Sequence, residues 1–148
     1  MTHAEALKLL RLAADQNDVN AEHNLGIMYD RGLGVPQDRG EAKWFRLAAD
    51  QGVAASQYEL GVIYGMGEGA PQDAGESAKW LRLAADQGHV MAQYYLGAMY
   101  EDGLGVPRDN VQALKWLRLV AAALSRIVCG ASRQGVQTWE RSRCEDDA

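Results

Sequence analysis

The sequence predicts an all-α fold: an α/α superhelix, a short α-solenoid of antiparallel helix pairs. Three observations predict it. One block recurs nearly verbatim, as WFRLAADQG from Trp44, WLRLAADQG from Trp80 and WLRLVAA from Trp116, each 36 residues after the last. A weaker copy, LLRLAADQN, starts at Leu9, 35 residues before Trp44. A second block alternates with it: AEHNLGIMYDRGLGVPQD from Ala21, SQYELGVIYGMGEGAPQD from Ser56 and AQYYLGAMYEDGLGVPRD from Ala92. Between the blocks, paired glycines and a proline fall at fixed offsets. A fixed period of this length marks units that cannot bury their apolar faces alone and stack on their neighbours.

Taken in chain order, the elements alternate between two kinds. The Trp-containing block is helix B. Trp80, Leu83, Ala84 and Gln87 follow each other at helical spacing and are expected to share one side. The other block is helix A, where Ala92, Leu96, Met99 and Tyr100 do the same. Each helix A ends in glycines that tolerate positive φ, at 32 and 34, 67 and 69, 103 and 105. Pro36, Pro71 and Pro107 then block continuation. Each helix B opens on a capping-box spacing: Thr2–Glu5, Asp38–Glu41, Asp73–Glu76 and Asp109–Gln112. The predicted helices are 3–16, 19–31, 39–51, 54–65, 74–87, 90–102 and 110–128. They form a repeat domain over 1–123: a half repeat 1–17, then repeats 18–52, 53–88 and 89–123.

The repeat stops after Leu119. The next helix A would place Leu, Gly and Tyr where Ser132, Arg133 and Val136 stand. Two readings of 124–148 remain open. It is a capping helix extension and tail, partly disordered, with Leu117, Val120, Leu124, Ile127 and Val128 continuing an apolar stripe that Gly130 ends. Or the array is cut short and the tail is unrelated. The start in mid-repeat also fits a fragment of a longer array, and the uncapped ends favour self-association.

Composition bounds the function. The chain has 148 residues, 47% of them hydrophobic, and a net charge of −5. An acidic surface without a basic run disfavours nucleic acid. No run of eighteen apolar residues exists to span a membrane. The N-terminal stretch lacks the features of a signal peptide, so the chain as written is expected in the cytoplasm, and exported if it derives from a longer precursor. Two cysteines, Cys129 and Cys144, make neither a disulfide framework nor a metal site.

The pattern A-x-x-x-L-G-x-x-Y-x-x-G-x-G-V-P-x-D, followed by A-x-K-W-x-R-x-A-A-x-x-G, resembles the Sel-one-like repeat family, a slightly longer relative of the tetratricopeptide repeats. The match runs from residue 3 to about 123. The resemblance implies an α/α scaffold that mediates protein–protein contacts. Some relatives carry a disulfide in each repeat and some have been named β-lactamases. The repeats here hold no cysteine, and neither feature carries over.

Catalytic readings are weak beside structural ones. GMGEGAPQD at 65–73 looks like a phosphate loop, but it follows a helix and lacks the P-loop lysine; its counterparts in other repeats make it a turn. His3, His23 and His89 occupy non-equivalent positions without metal-ligand spacing. Tyr29, Tyr64 and Tyr100, with Trp44, Trp80 and Trp116, recur at core phase. No cofactor is expected, and a hydrolase using Cys129, Cys144 or a histidine lacks a nucleophile–base motif. The chain is therefore expected to bind a protein or peptide and not to be an enzyme. The alternative is an incomplete piece without independent function.

The candidate binding residues lie on helix A opposite Leu25. At 100° per residue these are His23, Ile27 and Asp30, then Tyr58, Val62 and Gly65, then Tyr94, Ala98 and Glu101. In tetratricopeptide-like arrays this side lines the concave groove. The competing reading packs the same side chains against the adjacent repeat, and the helical wheel does not decide between the two.

Overall fold

The structure, a computed structural model, describes residues 1–37 and 42–132, without the side chains of the last two. Seven helices occupy these residues: α1 (His3–Ala14), α2 (Val19–Arg31), α3 (Ala42–Asp50), α4 (Ala54–Met66), α5 (Ala74–Asp86), α6 (Val90–Asp102) and α7 (Asn110–Ser132). No strand occurs among the described residues. Each helix packs closely on the one before it and the one after it, as in a solenoid. Helices α1, α3, α5 and α7 are of the B kind and α2, α4 and α6 of the A kind.

The termini form for the reasons that the sequence supplies. Thr2 and Glu5 close a complete capping box, each side chain bonded to the other's backbone N–H. Asp73 accepts from the Glu76 N–H, and Asp109 accepts from Val111 and Gln112. The Asp38–Glu41 pair lies outside the described residues. The A helices end at Gly32, Gly67 and Gly103, all left-handed with φ of 66°, 71° and 72°. The carbonyls of Tyr64 and Tyr100 then accept from the backbone N–H of the next capping aspartate, fixing how each pair folds back.

Three apolar clusters follow one another along the array. Each joins a helix B, the next helix A and the tryptophan of the helix B after that. Ala14, Ala21 and Leu25 carry Trp44; Phe45, Ala49 and Leu60 carry Trp80; Leu81, Ala84, Leu96 and Tyr100 carry Trp116. Each tryptophan is thus a rivet between repeats.

The helix B phase differs from the expected one. Leu83 is 47% exposed, and its equivalents Leu12, Leu47 and Leu119 are similarly open. Leu81 takes the buried place, with Ser77, Ala78, Trp80, Ala84 and Ala85. The reason is that helix B is covered by an A helix on each side. Its buried arc is wide and centred on Leu81, which leaves Leu83 pointing away from both. Gly130 does not end α7 either, since the helix runs on to Ser132. The stripe Leu124, Ile127 and Val128 is exposed there. At the other end Leu9 is exposed, while Leu7 and Leu10 are half-buried.

A buried glutamine locks two of the three B–A corners. Gln57 donates to the Ala49 carbonyl and Gln93 to the Ala85 carbonyl, and Gln87 donates in turn to Gln57. In the first repeat this position holds Glu22. It is 2% exposed and accepts from Gln51, but an ionised carboxylate has no donor for the carbonyl beside it. Burial, and then the Asp18 charge, push the Glu22 carboxyl up from its ordinary range. The folded chain therefore holds that proton longer than the unfolded chain, and stability falls as pH rises through that range. Glu22→Gln rebuilds the arrangement of the other two repeats. It is expected to gain about 1 kcal/mol at pH 7 and nothing below about pH 4, where Glu22 is already protonated. Thermal melts of both proteins at the two pH values check this; an equal gain at both would mean that ionisation is not the cause.

Candidate functional site

The A helices set three equivalent columns of side chains one repeat apart. The first column is His23, Tyr58 and Tyr94. His23 is half-buried. Its Nδ1 lies 2.8 Å from the Ser56 Oγ of the next A helix, and its ring packs at 5.7 Å on Phe45. Tyr58 is also half-buried, stacked at 4.6 Å on the His89 ring and tilted at 6.1 Å against Tyr95. Tyr94 is 49% exposed and meets Tyr95 edge-on at 5.6 Å. One column therefore divides between two roles. His23 and Tyr58 fill joints between repeats, and Tyr94 reaches solvent.

The second column, Ile27, Val62 and Ala98, is half-buried. The third holds half-buried Asp30 and Gly65 and exposed Glu101. Of these six, Asp30, Val62 and Gly65 border hollows between successive A helices, and Ile27, Ala98 and Glu101 do not. One of about 270 Å³ lies between α4 and α6, walled by Val62, Gly65, Met66, Tyr95 and Met99 over a floor of Leu81. One of about 180 Å³ lies between α2 and α4, walled by Asp30, Glu59, Val62 and Met66, and Phe45 takes the place of Leu81 there. The hollows exist because Gly26 and Gly61 bring each A helix down on its helix B partner, leaving gaps between neighbouring A helices.

Charge is divided between the two kinds of helix. Helices α2, α4 and α6 carry Glu22, Asp30, Glu59, Glu101 and Asp102 against a single cation, Arg31. The B helices carry nine Lys and Arg against four acids. There Arg46 and Arg82 lie over the Trp80 and Tyr100 rings at 5.1 and 5.4 Å, and Arg46 also donates to the Tyr64 hydroxyl.

Sequence reasoning missed Tyr95, Glu59, Met66, Met99 and His89. Glu59 and Tyr95 form a column with Asn24 that differs between copies just as the chosen column does, and that was the available signal. His89, without metal-ligand spacing in the sequence, caps α6 by accepting from the Ala92 N–H.

Chemistry finds little purchase. The Ser56–His23 pair has nucleophile–base geometry, but Ser56 is 0% exposed, so no substrate reaches its hydroxyl. Cys129 is disulfide-bonded, which removes its thiol as a nucleophile. Cys144 and Trp139 lie outside the described residues. No group of three metal-ligating side chains occurs among the described residues, and no helix there is long and apolar enough to cross a membrane.

Burial lowers the affinity of His23 and His89 for protons. A histidine with a depressed folded value binds its proton sooner in the unfolded chain, so stability is present above about pH 6.5 and is lost as pH falls through it. In a Glu22→Gln, Glu59→Gln background, which removes the opposing trend of the two carboxyls that burial raises, the melting temperature is expected to be lower at pH 5 than at pH 7.5. Adding His23→Gln and His89→Asn should remove most of that difference. An unchanged difference would assign the trend to other groups.

Comparison with known proteins places these features. The Sel1 repeat family model matches residues 3–18, 19–53, 54–89 and 90–123. Among solved structures, a protective antigen of uropathogenic Escherichia coli with an SLR fold is 39% identical, with a TM-score of 0.81 over 82% of this chain and 26% of that one. A Sel1 repeat protein from Oxalobacter formigenes is 35% identical, with a TM-score of 0.70 over 72% of this chain and 44% of that one. This chain thus spans less than half the length of either. No curated protein matches it.

Proposed function

Because the chain belongs to the Sel1 repeat family, whose members are in general protein–protein interaction scaffolds, we propose that it binds a protein or peptide along the side formed by α2, α4 and α6, the side that lines the concave groove in tetratricopeptide-like arrays. One observation carries this reading. The hollow between α4 and α6 is mostly apolar, is walled by Tyr95, on which the exposed Tyr94 packs, and borders Val62 and Gly65 of the predicted strip. Buried positions such as Leu25, Leu60 and Leu96 repeat without change, while this strip differs in each copy. Invariant positions are what packing requires; a varied strip above them is what specificity requires. Aromatics with a polar end are common at binding hot spots.

Tyr94 is the clean test, because Tyr58 also packs against the next repeat. Tyr94→Ala is expected to weaken partner affinity by about 2 kcal/mol or more and to change stability by less than about 0.5 kcal/mol. The partner is obtained by affinity capture on the full chain, with Leu83→Lys on the opposite helix face as control. The site belongs elsewhere if binding survives Tyr94→Ala and is lost with Leu83→Lys.

A further inference from the structure

The two hollows are equivalent places in successive repeats, yet they are lined differently. Where the α4–α6 hollow has Tyr95 and Gly65, the α2–α4 hollow has Glu59 and Asp30. Glu68 adds a third carboxylate to the α2–α4 hollow, whose other walls are apolar, while Gln72 and Ser77 are uncharged members of the mostly apolar α4–α6 wall; Val62 and Met66 are common to both. Neither α4 nor α6 carries a cation. We propose that this face selects a cationic segment, in which one apolar side chain seats in the α4–α6 hollow and a lysine or arginine meets Glu59 and Asp30 in the α2–α4 hollow. This rests on the binding reading above and adds the chemistry of the partner.

Charge complementarity is the argument. Glu59 is half-buried, held among Val62, Ile63 and Met66. Burial and then the Asp30 charge push its carboxyl up, against a smaller pull down from Arg31. A cation arriving between the two carboxylates relieves that repulsion, whereas an anion adds to it. The neighbouring hollow, about 270 Å³, offers an apolar side chain methionine and aromatic walls with little polar surface. The geometry sets a spacing as well. Packed helices lie about 10 Å apart and an extended chain advances about 3.3 Å per residue; successive A helices, with a gap between them, stand at least that far apart, so the two anchors are about three or more residues apart.

The test is selection of a displayed random dodecapeptide library on the full chain. Enriched peptides are expected to pair Lys or Arg with Leu, Met or Phe at about that spacing. For one such peptide, Glu59→Lys is expected to weaken binding about tenfold or more, and Glu59→Gln by less. Replacing the peptide's cation by alanine should abolish the difference between the wild-type chain and Glu59→Gln, which keeps the test readable if Glu59→Lys fails to fold. Neutral or acidic peptides whose binding still needs Tyr94 would overturn the cationic partner and leave the face standing. No enrichment, peptides indifferent to both Tyr94→Ala and Glu59→Gln, or a second copy seated there through its basic B helices would overturn the inference together with the face it rests on.

Discussion

Trp80→Ala is expected to destabilise the array by about 3–5 kcal/mol. Trp80 is 9% exposed and joins Phe45, Ala49 and Leu60, which belong to the two preceding helices. Deleting it therefore opens the joint between repeats as well as a space within one. The Arg46 guanidinium, 5.1 Å above the ring, loses its platform. One factor moderates the cost. The indole N–H is buried without a protein acceptor, so removing it also removes an unsatisfied donor. Trp80→Phe keeps most of the apolar contact without that donor and is expected to cost well under half as much. Chemical denaturation followed by helix content checks both. In a chain of nearest-neighbour units, loss of this joint should also broaden the transition, as the two halves begin to melt separately. A sharp transition with a loss below about 1 kcal/mol would show that Trp80 is not the rivet its burial suggests.

The helices and their ends were legible because the signals are local. Thr2–Glu5 and Asp73–Glu76 specify starts, and Gly67 and Gly103 specify stops, within a few residues of sequence. Family membership was legible for the same reason, since the repeats restate these signals at a fixed spacing. The choice between Leu81 and Leu83 was not. Both are leucines in a helix, and the decision belongs to two other helices that cover one and not the other. The candidate face shows the same boundary. A helical wheel places His23, Tyr58 and Tyr94 on one side, but it does not say what the other helices bring. Phe45 and Ser56 come to His23, His89 and Tyr95 come to Tyr58, and Tyr94 keeps its exposure. The acidic pair at Glu59 and Asp30 is likewise a product of stacking, since the two residues belong to different repeats.

Gly26→Val is expected to cost about 3 kcal/mol or more, at the upper end of what overpacking does. A Cβ at Gly26 would stand 2.6 Å from two ring carbons of Phe45 and 2.9 Å from a third. An aromatic ring relieves such contact only by moving as a body. Phe45 is 3% exposed, and its outer side is closed by the His23 ring at 5.7 Å. Displacing it would push His23 off Ser56 and so disturb the joint between α2 and α4. The same glycine in the other repeats gives a scale. At Gly61 the obstacle is Leu81 at 2.6 Å, with a side chain that has other rotamers. At Gly97 it is Leu117 at 3.1 Å, the loosest of the three. There the gain of about 1 kcal/mol from replacing a mid-helix glycine with alanine offsets the crowding, and Gly97→Ala is expected to be neutral within about that amount. The Phe45→Ala background separates the clash from any other effect of valine. With the ring gone, Gly26→Val should cost less than about 1 kcal/mol, because valine enters the space that the ring vacated. An equal cost with and without Phe45 would mean that something other than the A–B contact requires glycine, and the close approach would then not be what opens the hollows between the A helices.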